Sequence, residues 1–283
     1  MTTTSNQEIT QYYDRTEVHY KMHWNLNQSL ALHYGYWDAS TKSFHEALVN
    51  TNKILAQKAQ INRTDKVLDA GCGIGGSSIY LAQHYGCHCT GISLSEKQVR
   101  TAQTIAQKND LGHLCQFEQA DFTNTPFEAE SFDVIWAVES VCHANNKQAF
   151  IQEAFRLLKK GGRLIMADFF QTKEQFLPKQ QQILNHWAAG WAVPHFVSFE
   201  QFQQYLHQTG FTLNSTENAT QAIIPSAKRL YYRFFPGIIG AKIYQFLYGA
   251  TSISVANVWT AYYQYKALQQ NLWLYGIVCA TKP

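Results

Sequence analysis

The chain has 283 residues and a formal net charge of +3; 46% of its residues are hydrophobic and 15% are charged, a composition that excludes general disorder. The small charge, without a run of Lys and Arg, argues against a nucleic-acid partner. Six cysteines are scattered without the spacing of a zinc site, and the N-terminus is polar. We therefore expect a cytoplasmic protein with no metal, no signal peptide and no stable membrane insertion.

The first 42 residues are predicted to form an N-terminal lid. Aromatic residues make up 14% of the chain and concentrate at its two ends. Those of the N-terminal segment are Tyr12, Tyr13, Tyr20, Trp24, Tyr34, Tyr36 and Trp37. We interpret this segment as a lid; the alternative is that its aromatic residues simply pack against the core.

From residue 43 onward, the pattern alternates between helices and strands. A capping box from Ser43 to Glu46 begins the first helix. Strands are predicted at 66–70, 87–93, 115–120, 132–138 and 163–169, and helices at 76–84, 95–109 and 147–159, the last ended by Gly161 and Gly162. This alternation predicts right-handed crossovers and parallel strands covered on both faces, in a core domain at 43–170.

Two segments after the fifth predicted strand are expected to form a cap. The first cap element covers 171–210. Two further strands, at 211–217 and 272–279, belong to a C-terminal region at 211–283, and the roughly fifty residues between them exceed an ordinary connection. This insertion, at about 218–270, is rich in Tyr, Phe and Trp and is predicted to form two or three helices.

Residues 67–76 contain the most informative motif of the chain, in which an apolar run ends at Asp69 and breaks into glycines. Gly71 and Gly73 permit a tight turn against which a ligand can lie, and the Asp69 carboxylate can hold a cation beside it. With Gly76 they also satisfy the G-x-G-x-x-G pattern of a dinucleotide site. The order hydrophobic pair, Asp, small residue, Gly-Cys-Gly resembles motif I of class I S-adenosylmethionine-dependent methyltransferases. The resemblance implies that this loop holds the aminoacyl half of S-adenosylmethionine.

The loop after the second predicted strand carries Ser93 where a nicotinamide enzyme needs an acidic residue for the ribose hydroxyls. Most class I methyltransferases also have an acidic residue there. The segment is similar to the loop of sterol and tocopherol methyltransferases and of cyclopropane-fatty-acid synthases, in which a hydroxyl residue and a Gln five positions later bind the ribose. Ser93 and Gln98 match that pattern. Ser95 and Gln98 also satisfy a capping box, so a structural role for Gln98 stays open.

The ends of the third and fourth predicted strands carry further polar candidates. The family resemblance implies that Asp121 accepts a hydrogen bond from the adenine amino group and that Phe122 offers its backbone and a flat face. Glu139 and His143 are similar to a Glu-x-x-x-His segment of sterol methyltransferases and are candidate catalytic residues, which handle substrate charge or accept a proton. The structural alternatives are a solvated loop for Asp121 and a hydrogen-bonded core position for His143.

The stretch from His33 to Trp37 resembles one that closes over the cofactor in these families, so Tyr34 is a candidate cofactor contact. The resemblance covers about 12–162 and, beyond that, 276–283. It implies an α/β fold with a doubly wound, mostly parallel seven-stranded sheet whose last strand is antiparallel. The helical cap lies outside the resemblance and, like the N-terminal lid, is expected from the aromatic segments themselves.

The predicted reaction is transfer of a methyl group from S-adenosylmethionine to a small, largely apolar or amphipathic acceptor, such as a prenyl or terpenoid, sterol-like or aromatic natural product. One alternative is cyclopropane formation or another lipid modification at a membrane surface, since Lys228, Arg229, Arg233 and Lys242 lie beside aromatic residues. A non-catalytic binding protein is a remote alternative, and a nicotinamide dehydrogenase ranks last. The acceptor, the attacked atom (carbon, nitrogen or oxygen) and the formation of a homo-oligomer stay open.

Overall fold

The computed structural model describes residues 30–248 and 252–283, so most of the predicted lid lies outside the described residues. The strands are β1 Lys66–Ala70, β2 His88–Ser93, β3 Cys115–Gln119, β4 Phe132–Val138, β5 Leu158–Gln171, β6 Thr212–Asn218 and β7 Trp273–Thr281. The α-helices are α1 Phe44–Lys58, α2 Gly76–Tyr85, α3 Glu96–Lys108, α4 Lys147–Leu157, α5 Pro178–Gly190, α6 Phe199–Thr209, α7 Thr220–Tyr248 and α8 Ser252–Gln269.

The seven strands form one sheet in the order β3-β2-β1-β4-β5-β7-β6. Strands β1 to β5 run parallel, and β7 runs antiparallel to both β5 and β6. The predicted doubly wound, mostly parallel sheet is confirmed. The strand order reverses at β1, which lies between β2 and β4, and the carboxyl ends of strands at such a reversal form a crevice.

Consecutive residues of each central strand face opposite layers of the core, as expected for strands buried on both faces. Val67 of β1 and Val134 of β4 pack in one hydrophobic cluster. Their chain neighbours Leu68 and Ile135 pack in the other. Helices therefore cover both faces of the sheet, and the polar side chains that a ligand needs are left to the strand ends.

The glycine pair at 161 and 162 lies inside β5 and does not end the preceding helix. Helix α4 ends at Leu157, and the next residue, Leu158, is already extended and pairs with Phe132 of β4. The register then shifts: Phe132 pairs with Leu158 but Val134 pairs with Arg163, so β5 has three more residues than β4 between the two pairs. Gly161 has φ +76°, a left-handed conformation that glycine adopts without strain. The predicted helix stop is therefore an irregular stretch inside a longer strand.

The two predicted cap segments are helical. Helices α5 and α6 follow β5, and helices α7 and α8 form the connection between β6 and β7. Helix α8 packs against both α5 and α7, so the two segments meet. Within the described part of the chain, no helix combines the length and apolar character that crossing a bilayer requires.

Candidate active site

A cavity of about 280 Å³ opens at the carboxyl ends of the parallel strands. Its wall is formed by the loops that follow β1, β2, β3 and β4, together with the segment before α1 and the aromatic residues Phe169 and Trp191. Nine of the ten predicted site residues line it: Asp69, Gly71, Gly73, Ser93, Gln98, Asp121, Phe122, Glu139 and His143. The fold thus brings residues that are far apart in the chain to one cavity. Tyr34 is the one predicted site residue that does not line it.

The glycine loop after β1 turns back tightly. Gly71 and Gly73 have φ values of +92° and +54°, which glycine alone adopts at little cost. The N–H of Gly71 donates to the Ile92 carbonyl of β2 at 3.0 Å. A Cβ atom at Gly71 would collide with the Ser140 side chain, so the loop after β4 packs directly on the glycine loop. Glycine at position 71 therefore allows the loop after β4 to pack closely and also leaves the main chain accessible from the cavity.

Asp69 is buried at the end of β1, and the Ser78 hydroxyl donates to its Oδ2 at 2.7 Å. Burial raises the pKa of Asp69 to about 6, and the Ser78 hydrogen bond opposes that rise. A carboxylate that is desolvated in this way is stabilised by a cation in the cavity. Ser78 was not predicted from the sequence, because it lies on the first turns of α2 among residues that suggest only packing.

The arrangement around Ser93 separates the two interpretations of Gln98. The Ser93 hydroxyl donates to Gln98 Oε1 at 2.7 Å. The N-cap of α3 is Ser95, whose Oγ accepts from the Gln98 N–H at 3.2 Å. The Ser95 N–H donates to Ser93 Oγ at 3.1 Å. The cap therefore uses the backbone of Gln98, while its side chain forms a hydroxyl–amide pair with Ser93 at the cavity.

Asp121 and Phe122 follow β3 and are held by local contacts. The backbone N–H and the hydroxyl of Thr123 donate to Asp121 Oδ1 at 2.8 and 2.7 Å. The Phe122 ring meets Phe150 edge-to-face, with 5.5 Å between centroids. Both residues line the cavity, so the turn that Thr123 stabilises presents a carboxylate and an aromatic ring on the same side.

Glu139 follows β4 with φ +51°, and its N–H donates to the Ala167 carbonyl of β5. Its Oε1 accepts the Tyr34 N–H at 2.7 Å and the Tyr275 hydroxyl at 2.9 Å. Burial raises the pKa of Glu139 to about 8, although both hydrogen bonds favour the carboxylate. At neutral pH the carboxyl group is therefore mostly protonated.

His143 ends a short 3-10 turn, Val141–His143, directly after β4. Burial lowers its pKa to about 4, and a hydrogen bond to the backbone of Ala192 opposes that change. The imidazole is therefore neutral at pH 7, with one ring nitrogen as donor and the other as acceptor. Glu139 and His143 thus line the same cavity, Glu139 with a carboxyl group that can donate a proton and His143 with a neutral ring that can accept one.

Two buried charged groups that the sequence analysis missed hold the turn of His143 in place. Asp168 on β5 accepts the Cys142 N–H at 2.9 Å. The Lys147 ammonium donates to the carbonyls of Cys142, Ala144 and His195 at 3.0, 2.7 and 2.7 Å. The position of Asp168 at the carboxyl end of a strand was a usable signal, whereas Lys147 looked like an ordinary helix residue.

Tyr34 is fully buried behind the cavity wall rather than in it. Its ring meets Phe169 edge-to-face, with 5.5 Å between centroids, and it is tilted against Tyr275 at 6.4 Å. Its backbone N–H holds Glu139, as described above. Contact between Tyr34 and a cofactor stays a prediction, and what the structure shows is an aromatic support for Glu139 and Phe169.

The wall of the cavity combines carboxyl groups with aromatic rings. Asp69, Asp121 and Glu139 line it, and among its described lining residues there is no Lys or Arg. Phe169 and Trp191 lie 5.5 Å apart by ring centroids, with Trp187 packed behind them. This chemistry suits a cationic ligand next to an apolar one and does not suit an anionic ligand.

The chain is similar to known methyltransferases. A family model described as "Methyltransferase domain" matches residues 68–166, which include the glycine loop and His143. The 27-O-demethylrifamycin SV methyltransferase of Amycolatopsis mediterranei is 34% identical over 235 residues, 83% of this chain and 84% of that one. The chloroplastic tocopherol O-methyltransferase of Arabidopsis thaliana is 32% identical over 61% of this chain and 50% of its own length.

Similar solved structures share the fold at low sequence identity. The cyclopropane synthase MmaA2 of Mycobacterium tuberculosis has a TM-score of 0.81 at 17% identity, with 99% of both chains covered. The [4+2]-cyclase SpnF has a TM-score of 0.80 at 22% identity, with 100% of this chain and 98% of that chain covered. A cyclase and a cyclopropane synthase therefore share this architecture, so the fold alone does not specify the reaction.

The cavity fits the cofactor that the glycine motif implies. Its carboxyl groups match the positive sulfonium and ammonium groups, the Ser93–Gln98 pair offers hydrogen bonds to a ribose, and the glycine loop leaves the main chain accessible. No acidic residue stands at Ser93, where a nicotinamide enzyme needs one. With the family model and the rifamycin relative, these features show that the chain belongs to the S-adenosylmethionine-dependent methyltransferases and methylates small molecules.

Proposed function

We propose that the acceptor of the methyl group is a small, largely apolar natural product, such as a terpenoid, sterol-like or aromatic compound. The observation that carries this proposal is the cavity wall, in which Phe169 and Trp191 stand beside His143 and Glu139 without a lysine or arginine among the described lining residues. Its relatives support it, since they include a 27-O-demethylrifamycin SV methyltransferase, a tocopherol O-methyltransferase and a sterol 24-C-methyltransferase.

We assign cofactor binding to the predicted residues that line the cavity. Asp69, Gly71 and Gly73 would hold the aminoacyl half, Ser93 and Gln98 the ribose, and Asp121 with Phe122 the adenine. Because Ser93 occupies the oxygen of the Gln98 amide, the group that Gln98 offers to a ribose hydroxyl is its Nε2, a donor.

When bound, S-adenosylmethionine supplies an electrophilic methyl group on a positive sulfur. The protein must then hold the acceptor atom at about 3–3.5 Å and in line with it. His143 is the residue we expect to take a proton from the acceptor, because it is neutral at pH 7 while Glu139 is mostly protonated. Phe169 and Trp191 would exclude water and stabilise positive charge with their ring faces.

A lipid substrate at a membrane surface is the second candidate. Helix α7 exposes Lys228, Tyr232 and Phe235, which are spaced at four and three residues and therefore share one face. A basic and aromatic helix face of this kind can contact an anionic bilayer. A soluble acceptor requires no such surface, so vesicle sedimentation separates the two candidates.

The test is a screen of methyl transfer against matched acceptor pairs, each an apolar aromatic or terpenoid alcohol and its small hydrophilic fragment. Burial of a few hundred Å² of apolar surface contributes several kcal/mol at about 25 cal/mol per Å², before entropic costs. We expect the apolar member to have at least a tenfold higher kcat/KM. His143→Ala should lower kcat by about 10²- to 10⁴-fold, the usual range for general-base loss. Turnover of small hydrophilic amines alone, unaffected by His143→Ala, would contradict the proposal.

A further inference from the structure

The segment before α1 brings one buried histidine, His33, to the cofactor cavity. Its side chain is 4% exposed and lines the cavity with Leu30 and Leu32. Leu30 and Leu32 pack closely against the glycine loop. A Cβ atom at Gly73 would lie 3.1 Å from Leu32 Cδ1, and one at Gly76 would collide with the Leu30 carbonyl. His33 therefore lies beside the part of the loop assigned above to the aminoacyl half of the cofactor.

The tautomer of His33 follows from its one hydrogen bond. The Nδ1 atom lies 2.9 Å from the carbonyl oxygen of Tyr34. A carbonyl oxygen only accepts, so Nδ1 carries the proton and Nε2 carries a lone pair. Burial lowers the pKa of His33 to about 4, so the ring stays neutral at pH 7. The ring thus presents an acceptor to its surroundings at Nε2.

The Nε2 atom of His33 is buried and has no hydrogen-bond partner within residues 30–248 and 252–283. Such an atom loses its hydrogen bond to water on folding and regains one only from a ligand or an ordered water. A lone pair cannot bind a carboxylate, so the matching group on a ligand is an N–H or O–H donor. In the aminoacyl half of S-adenosylmethionine, that group is the α-ammonium.

We propose that His33 is a cofactor-binding residue whose Nε2 accepts a hydrogen bond from the α-ammonium group of S-adenosylmethionine. The proposal rests on the cofactor site described above and adds a contact that the motif residues do not supply. It also gives a role to the adjacent Tyr34: the Tyr34 carbonyl fixes the His33 tautomer, while its N–H holds Glu139. One peptide segment therefore orients both groups.

Two variants of the full-length protein separate ligand binding from a structural role. His33→Asn keeps an N–H donor near the Nδ1 position for the Tyr34 carbonyl but has no acceptor near Nε2. His33→Gln places an amide oxygen near the Nε2 position and gives up the contact with Tyr34. Calorimetric titration uses S-adenosylhomocysteine, which has the ammonium group, and 5′-methylthioadenosine, which lacks the whole aminoacyl half.

We expect His33→Asn to weaken S-adenosylhomocysteine binding about tenfold, as for one lost hydrogen bond to a charged group, and to leave 5′-methylthioadenosine binding unchanged. His33→Gln should recover part of the affinity. Unchanged S-adenosylhomocysteine affinity in His33→Asn, or equal weakening of both ligands, would overturn the proposal for His33 alone. If the wild-type protein binds neither ligand, the assigned cofactor site fails, and His33 with it.

Discussion

At the scale of single residues, the chemistry of the site depends on the protonation states of Glu139 and His143. Glu139 and His143 are four positions apart and belong to one motif, yet burial acts on them in opposite ways: it raises the pKa of the acid and lowers that of the base. Both groups are therefore uncharged at neutral pH without a ligand. A cationic cofactor favours the ionised form of Glu139, so its binding and the ionisation of this residue are coupled.

The first prediction concerns the pH dependence of stability. The folded-state pKa of Glu139, about 8, lies above its ordinary value of 4.5, so the folded protein holds a proton that the unfolded chain has released. Its contribution is fully present below pH 4.5 and is lost as the pH rises through 8. In Glu139→Gln, which imitates the protonated form, Tm should fall less between pH 5 and 8 than in the wild type. Thermal unfolding without cofactor measures this, and parallel profiles for the two proteins would contradict it.

The second prediction concerns Gln98. Its amide is paired with Ser93, while the cap of α3 uses only its backbone. Gln98→Ala should therefore weaken S-adenosylhomocysteine binding by about 1–2 kcal/mol, the cost of a lost buried hydrogen bond, with little change in Tm. Ser95→Ala, which removes the N-cap, should cost about 1 kcal/mol of stability. Calorimetry and urea unfolding separate the two effects. A fall in Tm with unchanged affinity would return Gln98 to a structural role.

At the scale of elements, the 3-10 turn after β4 and the loop before α6 are joined by one ammonium group. Lys147, the first residue of α4, donates to carbonyls of both segments, Cys142 and Ala144 on one side and His195 on the other. His143 lies inside the turn, and Trp191 precedes the loop residue His195. The relative placement of the predicted base and the aromatic wall thus depends on Lys147.

The third prediction follows from this link. Lys147→Met leaves the buried carbonyls of Cys142 and Ala144 and the partly buried carbonyl of His195 without their donor, and it should destabilise the protein by about 3 kcal/mol. Because the turn of His143 loosens while the ribose and adenine contacts remain, kcat should fall more than affinity for S-adenosylhomocysteine. Lys159→Met is the matched control, since Lys159 forms an ion pair with Asp133 that is partly exposed and worth at most about 1 kcal/mol. Equal effects of the two substitutions in urea unfolding would contradict the proposed link.

At the scale of the whole molecule, the sheet order decides where chemistry takes place. Strand β1 lies between β2 and β4, so the loops after these strands meet at one crevice. Rings from β5, helix α5 and β7 pack together on the apolar side of that crevice: Phe169, Trp187, Trp273 and Tyr275. One side of the crevice is therefore lined by polar groups, where we propose that the cofactor binds, and the other side is lined by aromatic rings.

The fourth prediction tests the molecule as a whole. A ligand that binds only the folded state adds about 2.7 kcal/mol of stability at one hundred times its Kd. S-adenosylhomocysteine at that concentration should raise Tm by several degrees, whereas NAD at the same concentration should leave Tm unchanged because Ser93 replaces the acidic ribose residue. Thermal unfolding in the presence of each compound measures this. Stabilisation by NAD alone would contradict the assigned cofactor site.

Much of the fold could be predicted because short sequence patterns specify its strands and helices. The alternation of apolar runs and helical faces located the strands to within a few residues, and the glycine motif located the first loop. The main error concerned Gly161 and Gly162, because a glycine pair after a helical pattern is locally indistinguishable from a helix end. Leu158 pairs with Phe132 of β4, and this contact between distant segments places the glycine pair inside a strand.

The sequence by itself determined the class of fold, the cofactor motif and nine residues that line one cavity, since each is specified by a short pattern at a strand end. The tertiary structure alone decided the rest: that burial raises the pKa of Glu139 and lowers that of His143, that Lys147 and Asp168 hold the turn of His143, and that Tyr34 lies behind the wall. These properties depend on burial and on hydrogen bonds between distant positions, such as the one from Tyr275 to Glu139. No spacing along the chain encodes the dielectric surroundings that a folded core creates.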